Sequence, residues 1–155
     1  METQQLDRID RAILTILEEE GRLSFAELGE RVGLSKSPCW KRVQALEEAG
    51  IIRGYRASID HARLGATTLA FAHISIAFEK HEAFERAVVA HPCVLDCHAT
   101  VGEADYVLRL LTRDLSALDE FLRHELWRLP GVIRFTTTLT MRTIKSGGSV
   151  MAGLA

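Results

Sequence analysis

The chain has 155 residues, of which 47% are hydrophobic, so it can bury one ordinary core or two small ones and does not have the composition of a disordered protein. No apolar run reaches the roughly 18 residues that a membrane span needs, and the N-terminus lacks the pattern of a signal peptide. The net charge of −2 excludes a generally basic nucleic-acid binder and leaves room only for a local basic site.

The first sixty residues have the spacing of short amphipathic helices. Apolar residues recur every three or four positions from Leu6 to Leu17, which predicts a first helix that ends near Gly21. Ser24 and Glu27 form a Ser-x-x-Glu capping box, which predicts the start of a second helix. Gly33 is placed to end that helix.

A third helix is predicted to begin at Ser35 or Ser37, with Pro38 in its first turn, and to end near Gly50. Its expected buried residues are Cys39, Val43 and Leu46. Two short helices joined by a turn that contains glycine predict a helix-turn-helix. Residues 51–57 carry two arginines and are expected to form a short hairpin, which makes residues 1–60 a winged helix-turn-helix DNA-binding domain.

After a predicted linker at residues 61–66, the periodicity changes to the alternation of strands. Strands are expected at residues 67–78, 94–101, 106–112 and 132–144, with helices after the first and third strands. This order predicts an α+β protein whose second domain, residues 67–145, is a ferredoxin-like βαββαβ fold. Both helices would cover one face of the sheet. The other face would be bare, and we expect a second copy of the chain to cover it in a dimer. The small, glycine-rich residues 146–155 are expected to be a flexible tail.

Four separated segments resemble the leucine-responsive regulatory protein/AsnC family of transcription regulators, over residues 4 to about 145. They are Leu-Asp-Arg-Ile-Asp-Arg-Ala-Ile-Leu at 6–14, Ser-Lys-Ser-Pro-Cys-Trp-Lys-Arg-Val at 35–43 with Leu-Glu-Glu-Ala-Gly-Ile-Ile at 46–52, Gly-Glu-Ala-Asp-Tyr-Val-Leu at 102–108, and Leu-Pro-Gly-Val at 129–132. The resemblance implies a dimer that is joined through the C-terminal domains and assembles into octamers. It also implies that an amino acid modulates DNA binding.

The third helix is the predicted double-stranded DNA contact. Five basic residues lie between Lys36 and Arg56 against two acidic ones. Residues near the helix start suit phosphate contacts, and Lys41 and Gln44 suit base edges in the major groove. The alternative is an ordinary solvated helix face with Trp40 half-buried. The predicted DNA-binding residues are Ser24, Lys36, Ser37, Pro38, Trp40, Lys41, Arg42, Gln44, Arg53 and Arg56.

The second candidate site is the turn at residues 102–105, whose N–H groups suit a carboxylate and whose Asp105 suits an ammonium group. The resemblance implies that this turn and the last strand line an effector pocket between dimers. The predicted effector-binding residues are Gly102, Glu103, Ala104, Asp105, Tyr106, Thr136, Thr137 and Thr138. The alternative is a plain β-turn followed by a β-branched strand.

The cysteines and histidines do not predict a metal site or a catalytic one. Cys39, Cys93 and Cys97 are an odd number without an export signal, which predicts reduced thiols and a cytoplasmic location. Strand residues four apart, such as Cys93 and Cys97, lie about 13 Å apart and cannot share an ion. No nucleophile, dinucleotide or paired-carboxylate signature is present, so neither catalysis nor a cofactor is expected.

Three functional hypotheses follow. The first is a sequence-specific transcriptional regulator of amino-acid metabolism genes that a free amino acid modulates. The second is an architectural DNA-binding protein without a small-molecule effector, and an amino-acid-dependent DNA-binding isotherm separates these two. The third is a ligand-binding module whose N-terminal helices serve a protein partner, which the basic third helix disfavours.

Overall fold

A computed structural model describes residues 5–154, which fall into two compact units. The first unit contains the described residues up to Ser58 and the C-terminal segment from Lys145 onward. The second unit runs from Ile59 to Ile144. The C-terminal segment therefore belongs with the N-terminal helices, although the chain reaches it only after the last strand.

Three helices make up most of the first unit: α1 (Arg8–Glu19), α2 (Phe25–Val32) and α3 (Lys36–Glu48). Both α1 and α2 begin with capping boxes, in which the side chain of each cap residue accepts a backbone N–H three residues later and the reverse bond also forms. The predicted capping box of Ser24 and Glu27 is confirmed. In the described part of the chain, no helix is long and apolar enough to cross a bilayer.

The turn between α2 and α3 is closed by two glycines. Gly33 ends α2 with φ of +74°, a left-handed conformation that favours glycine, and Leu34 N–H donates to the carbonyl of Gly29 at 2.8 Å. Gly29 is buried against the turn. Below it, Ile13, Leu28 and the buried residues of α3 form one apolar core. The helix-turn-helix prediction is confirmed.

The second unit contains four strands and two α-helices in the order βαββαβ. They are β1 (Thr68–Ile76), α4 (His81–Val89), β2 (Val94–Ala99), β3 (Tyr106–Thr112), α5 (Leu115–His124) and β4 (Val132–Leu139). The strands form one antiparallel sheet in the order β2-β3-β1-β4. This is the ferredoxin-like arrangement that the alternation of periods predicted, and the prediction is confirmed.

The sheet has one covered and one uncovered face. Phe84 and Val88 of α4 and Leu118 and Phe121 of α5 pack against the alternate residues of β1 and β3 that are buried. The intervening residues, such as Phe71 and His73, are only partly buried and lie on the face that no helix covers. This distinction decides which side chains can form a site on the open face.

The short hairpin predicted at residues 51–57 is absent, because residues 51–60 contain neither helix nor strand. The N–H groups of Ile51 and Ile52 both donate to the carbonyl of Leu46 and so complete the end of α3 instead of pairing with a strand. Tyr55 also turns back toward α3, since its hydroxyl donates to Glu47 at 2.9 Å. The two arginines of this segment therefore follow α3 on an irregular strand-free connection.

The C-terminal segment contains a one-turn helix, α6 (Val150–Gly153), where the composition predicted a flexible tail. Glu18 of α1 accepts the backbone N–H groups of Val150 at 2.8 Å and Met151 at 3.2 Å. Met151 also packs against the apolar core of the first unit. These contacts involve residues more than 130 positions apart, so local composition did not indicate them.

Candidate nucleic-acid interface and effector site

Helix α3 is held in the first unit along one edge and is open to solvent on the other. Cys39, Val43 and Leu46, spaced by four and three residues, are at most 2% exposed. The opposite side of the helix carries the predicted DNA contacts. The exposed ones are Lys36, Ser37, Pro38, Trp40 and Lys41, while Gln44 is partly buried.

The basic groups of α3 are available to a ligand. Neither Lys36 nor Lys41 forms an ion pair with any described residue. Lys36 lies in the first turn, where unpaired backbone N–H groups and the helix dipole also favour anions. Trp40, at 43% exposure, adds an aromatic surface beside Lys41. This side of α3 therefore presents cationic and aromatic groups to solvent.

Arg42, which the sequence assigned to DNA contact, holds α3 to the start of α1. Its guanidinium donates to Asp7 and to Asp10 at 2.7 Å each. The pKa of Asp7 is held below its ordinary value, first by the N–H of Asp10 and then by Arg42. Both bonds come from Nη1, so Arg42 has a structural role in joining α3 to α1, and only its remaining N–H groups could reach a phosphate.

The remaining predicted DNA residues lie at the edges of the helix-turn-helix. Ser24 is occupied as the cap of α2, since its hydroxyl donates to Glu27 at 2.7 Å and accepts the N–H of Glu27. Arg53 and Arg56 are exposed on the connection after α3. Tyr55 lies between these two arginines in the sequence. Burial and the hydrogen bond to Glu47 raise its pKa to about 12, so the hydroxyl remains a neutral donor at physiological pH.

A cavity of about 440 Å³ opens on the uncovered face of the sheet, between the turn after β2 and strand β4. The strand register explains its lining, because His73 pairs with Thr136 and Ser75 pairs with Arg134 on the same face. The lining residues are His73, Ser75, Thr100, Val101, Gly102, Glu103, Ala104, Val107, Arg134, Thr136 and Thr138. We call this the effector cavity.

Asp105 holds the turn in place and does not line the effector cavity. Its carboxylate accepts the N–H of Ile76 at 2.8 Å, and its own N–H donates to Ile74 at 2.9 Å. Thr100 N–H then donates to the carbonyl of Asp105 at 2.8 Å. The ammonium-binding role predicted for Asp105 is therefore not supported, and its structural role is to attach the turn to β1.

Tyr106 and Thr137 also lie away from the cavity, on the face that the helices cover. The hydroxyl of Tyr106 donates to Glu85 at 2.6 Å and lies 2.8 Å from His81 Nδ1. Thr137 alternates with Thr136 and Thr138 along β4, so its side chain points to the opposite side. Of the eight residues predicted for the effector, five line the cavity and these three do not.

Replacing Thr137 by valine is expected to stabilise the second unit. The buried Thr137 hydroxyl has no hydrogen-bond partner among the described residues, and burying an unpaired hydroxyl costs about 1–3 kcal/mol. A gain near 1 kcal/mol raises the Tm of a domain of this size by about 4–8 °C. Scanning calorimetry measures the change in Tm. Thr136→Val is the matched control on the open face, where no gain is expected, and an unchanged or lower Tm for Thr137→Val would contradict this assignment.

The sequence missed several residues of the effector cavity, of which Arg134, His73 and Ser75 are the most polar. Arg134 lies on β4, and the other two lie on β1. Arg134 and Ser75 are 59 positions apart along the chain, and only strand pairing brings them together. The alternation of β4 was the available signal, because Arg134 is two and four residues from Thr136 and Thr138 and therefore points to the same face of the sheet. Within residues 5–154, no three His, Cys, Asp or Glu side chains are grouped so as to hold a metal ion.

Family models match both units. The Lrp/AsnC ligand binding domain matches residues 69–150, and a winged helix-turn-helix DNA-binding model matches residues 6–53. This chain belongs to the Lrp/AsnC family. It is a transcription regulator with a DNA-binding helix-turn-helix and a ligand-binding domain of ferredoxin-like fold.

Relatives of this Lrp/AsnC regulator match along nearly the whole chain. The leucine-responsive regulatory protein of Escherichia coli is 39% identical over 96% of this chain and 92% of its own. The Bkd operon transcriptional regulator of Pseudomonas aeruginosa is 38% identical over 90% and 94%. A transcriptional regulator of Neisseria meningitidis in complex with L-Met is 38% identical, with a TM-score of 0.90 over 94% of this chain and 96% of that one.

Proposed function

We propose that this regulator binds specific promoter sequences of amino-acid metabolism genes and that a free amino acid in the effector cavity changes that binding. The observation that carries the proposal is a polar cavity formed by the turn after β2 and by β4 in the ligand-binding domain. A structure of the Neisseria meningitidis relative holds L-Met, which supports an amino acid as the class of ligand.

The effector cavity offers one side for a carboxylate. The N–H groups of Gly102, Glu103 and Ala104 have no acceptor among the described residues. Arg134 lies beside them and uses one N–H on the carbonyl of Glu103 at 3.3 Å, which leaves further guanidinium donors. Backbone donors together with a guanidinium form a strong anion site.

The same cavity offers acceptors for an ammonium group. The hydroxyls of Thr136 and Thr138 line it, as does Glu103, the one carboxylate among its lining residues. A zwitterion satisfies both groups of partners at once, whereas a simple anion leaves the acceptors without a donor. The cavity volume of about 440 Å³ also lies in the range of small-molecule sites. An α-amino acid is therefore the ligand class that fits.

The proposal also includes a dimer through the uncovered sheet face. Phe71, His73 and Val107 lie on this face with no helix above them, and Arg109 on the same face is bonded to Asp96. A mixed apolar and polar face of this kind is stabilised by a second copy. The effector cavity lies on the same face, so assembly and ligand binding would affect each other. The higher, octameric assembly rests on the family resemblance.

Phe71→Arg is expected to convert the dimer to a monomer, because a guanidinium in a desolvated sheet interface is unpaired. Light scattering on the full chain at micromolar concentration measures the mass. Leu115→Arg is the control, since Leu115 is 60% exposed on α5 outside this face and its replacement leaves the mass unchanged. A wild-type chain that is already monomeric would refute the proposed dimer.

Alanine at Lys41 or Gln44 is expected to weaken binding to a specific promoter fragment by about 5- to 150-fold, the equivalent of losing a base contact worth about 1–3 kcal/mol. Both residues lie on the open side of α3. Arg123→Ala removes a basic group from α5 of the second unit and should leave affinity unchanged. Fluorescence anisotropy at one fixed salt concentration checks this, and wild-type affinity in both α3 variants would exclude α3 as the recognition element.

A thermal-shift panel with the twenty amino acids tests the effector proposal. Ligand that binds only the folded state raises the Tm, and saturating concentrations of the effector give shifts equivalent to about 3–4 kcal/mol. The amino acid with the largest shift is then added to a promoter-binding isotherm. A changed isotherm supports the regulator, because ligand shifts an equilibrium only by differential affinity. Strong DNA binding that no amino acid changes would favour the architectural protein instead.

A further inference from the structure

A hydrogen-bonded chain of three side chains lies in the second unit, outside the effector cavity. Cys93 Sγ is 3.3 Å from His91 Nδ1, and His91 Nε2 is 2.7 Å from Glu125 Oε2. His91 and Cys93 lie in the connection between α4 and β2, whereas Glu125 caps the end of α5. The imidazole also packs against the ring of Phe121, with the centroids 4.7 Å apart. Its orientation is thus set from two sides.

The partners assign a role to each atom. Glu125 is an acceptor, so in the neutral form of His91 the proton lies on Nε2 and Nδ1 presents a lone pair. The thiol of Cys93 is the donor that meets this lone pair. The two contacts use opposite nitrogens of the ring and therefore do not converge on a point where a metal ion could sit. The arrangement is that of a thiol, a base and a group that orients the base.

Cys97 provides a matched comparison on the same side of the sheet. Cys93 and Cys97 are both partly exposed and both pack against the core of the second unit. Burial raises the pKa of each thiol, and burial together with the charge of Glu125 brings that of Cys93 to about 11. Both are therefore protonated near neutral pH and need a base to react. Among the described residues, only Cys93 has an imidazole hydrogen-bonded to its sulfur.

We propose that Cys93 is a peroxide-oxidisable thiol whose reaction is assisted by His91, with Glu125 as the residue that positions His91. In this step the sulfur attacks the distal oxygen of a hydroperoxide as His91 Nδ1 accepts the thiol proton. The S–O bond forms and the O–O bond breaks. The proton passes to the leaving oxygen, which departs as water or an alcohol. Sulfur is oxidised by two electrons to the sulfenic acid, and the peroxide is reduced by two.

The test compares the two cysteines within one protein. The full chain is exposed to hydrogen peroxide at pH 7 with dimedone present, which traps sulfenic acids. Both thiols lie in the tryptic peptide 87–109, so fragment ions in mass spectrometry give the rate at each. General-base assistance typically contributes about 10²- to 10⁴-fold, so we expect Cys93 to be trapped at least tenfold faster than Cys97. A smaller difference would overturn the proposal without any variant being needed.

His91→Gln and Glu125→Gln then assign the roles. His91→Gln keeps a polar side chain but removes the base, and it is expected to lower the Cys93 rate by at least tenfold while the Cys97 rate stays unchanged. Glu125→Gln removes the group that orients His91 but also removes a charge that raises the pKa of Cys93, so it should lower the Cys93 rate alone and by a smaller factor than His91→Gln. Loosened packing would instead raise trapping at both cysteines, so it has a different signature. An undiminished Cys93 rate in His91→Gln, at wild-type helical content by circular dichroism, would refute the assisted mechanism.

Discussion

Replacing Gly29 by alanine is expected to unfold or displace the helix-turn-helix and to lower promoter affinity by at least tenfold. A Cβ at this position would lie 2.6 Å from the carbonyl oxygen of Leu34 and 3.4 Å from that of Ser35. Both contacts are with backbone, which cannot rotate away as a side chain would. Overpacking of this kind costs about 1–3 kcal/mol, and relieving it moves α3 relative to α2. Anisotropy and thermal unfolding measure the two effects.

Gly153→Ala is the matched control for this variant. It adds the same methyl group in the first unit, at a glycine where the new Cβ meets nothing within 4 Å beyond its chain neighbours and its own helix. We expect wild-type affinity and a Tm within about 2 °C of wild type, since such surface changes are usually within 0.5 kcal/mol. If Gly29→Ala were as stable and as tightly bound to DNA as Gly153→Ala, the close approach in the turn would not be a determinant of the helix-turn-helix.

Arg134→Ala is expected to weaken effector binding by about 10- to 150-fold, the equivalent of a hydrogen bond to a charged group worth about 1.5–3 kcal/mol. The expectation rests on the proposed function, in which the guanidinium binds the carboxylate of the amino acid beside the turn N–H groups. Calorimetric titration with the amino acid that gives the largest thermal shift measures the Kd. DNA binding without effector should remain unchanged, since Arg134 lies in the second unit.

Arg113→Ala is the control for the effector measurement. Arg113 is an exposed arginine of the same unit that does not line the effector cavity, so its loss changes the net charge equally but removes no ligand contact. Equal weakening in both variants would indicate a general electrostatic effect on ligand binding. Wild-type affinity in Arg134→Ala would show that the carboxylate is held elsewhere, and the mapping of the ligand onto the effector cavity would then be wrong.

The fold was predictable because each element shows its own period. The apolar spacing of three and four residues marked the helices of the first unit, and the capping box of Ser24 and Glu27 marked the start of α2. Alternation marked the strands, and their order with the two helices gave the ferredoxin-like fold. The prediction of a hairpin at residues 51–57 was wrong because the backbone donors there bond elsewhere. The N–H groups of Ile51 and Ile52 are used by the end of α3, and local strand propensity does not register that competition.

The candidate effector site was only half predictable. The turn at residues 102–105 was indicated by its residue types, but three consecutive threonines on β4 do not share a face. Thr137 lies under the helices while Thr136 and Thr138 face the cavity, as the period of two requires. Arg134 and Ser75 meet through strand pairing alone. Asp105 looked like a ligand for an ammonium group until its carboxylate was found on the N–H of Ile76.

The sequence by itself determined the class of fold, the family and the face of α3 that is open to solvent, because these depend on periodicity and on residue types within short segments. Only the tertiary structure decided which polar groups are already occupied. Arg42 appeared free for phosphate, yet it is bonded to two carboxylates more than 30 residues away. His91 appeared isolated, yet α5 brings Glu125 to one nitrogen while Cys93 lies at the other. A charged group binds the nearest partner in space, and its distance along the chain does not enter that energy.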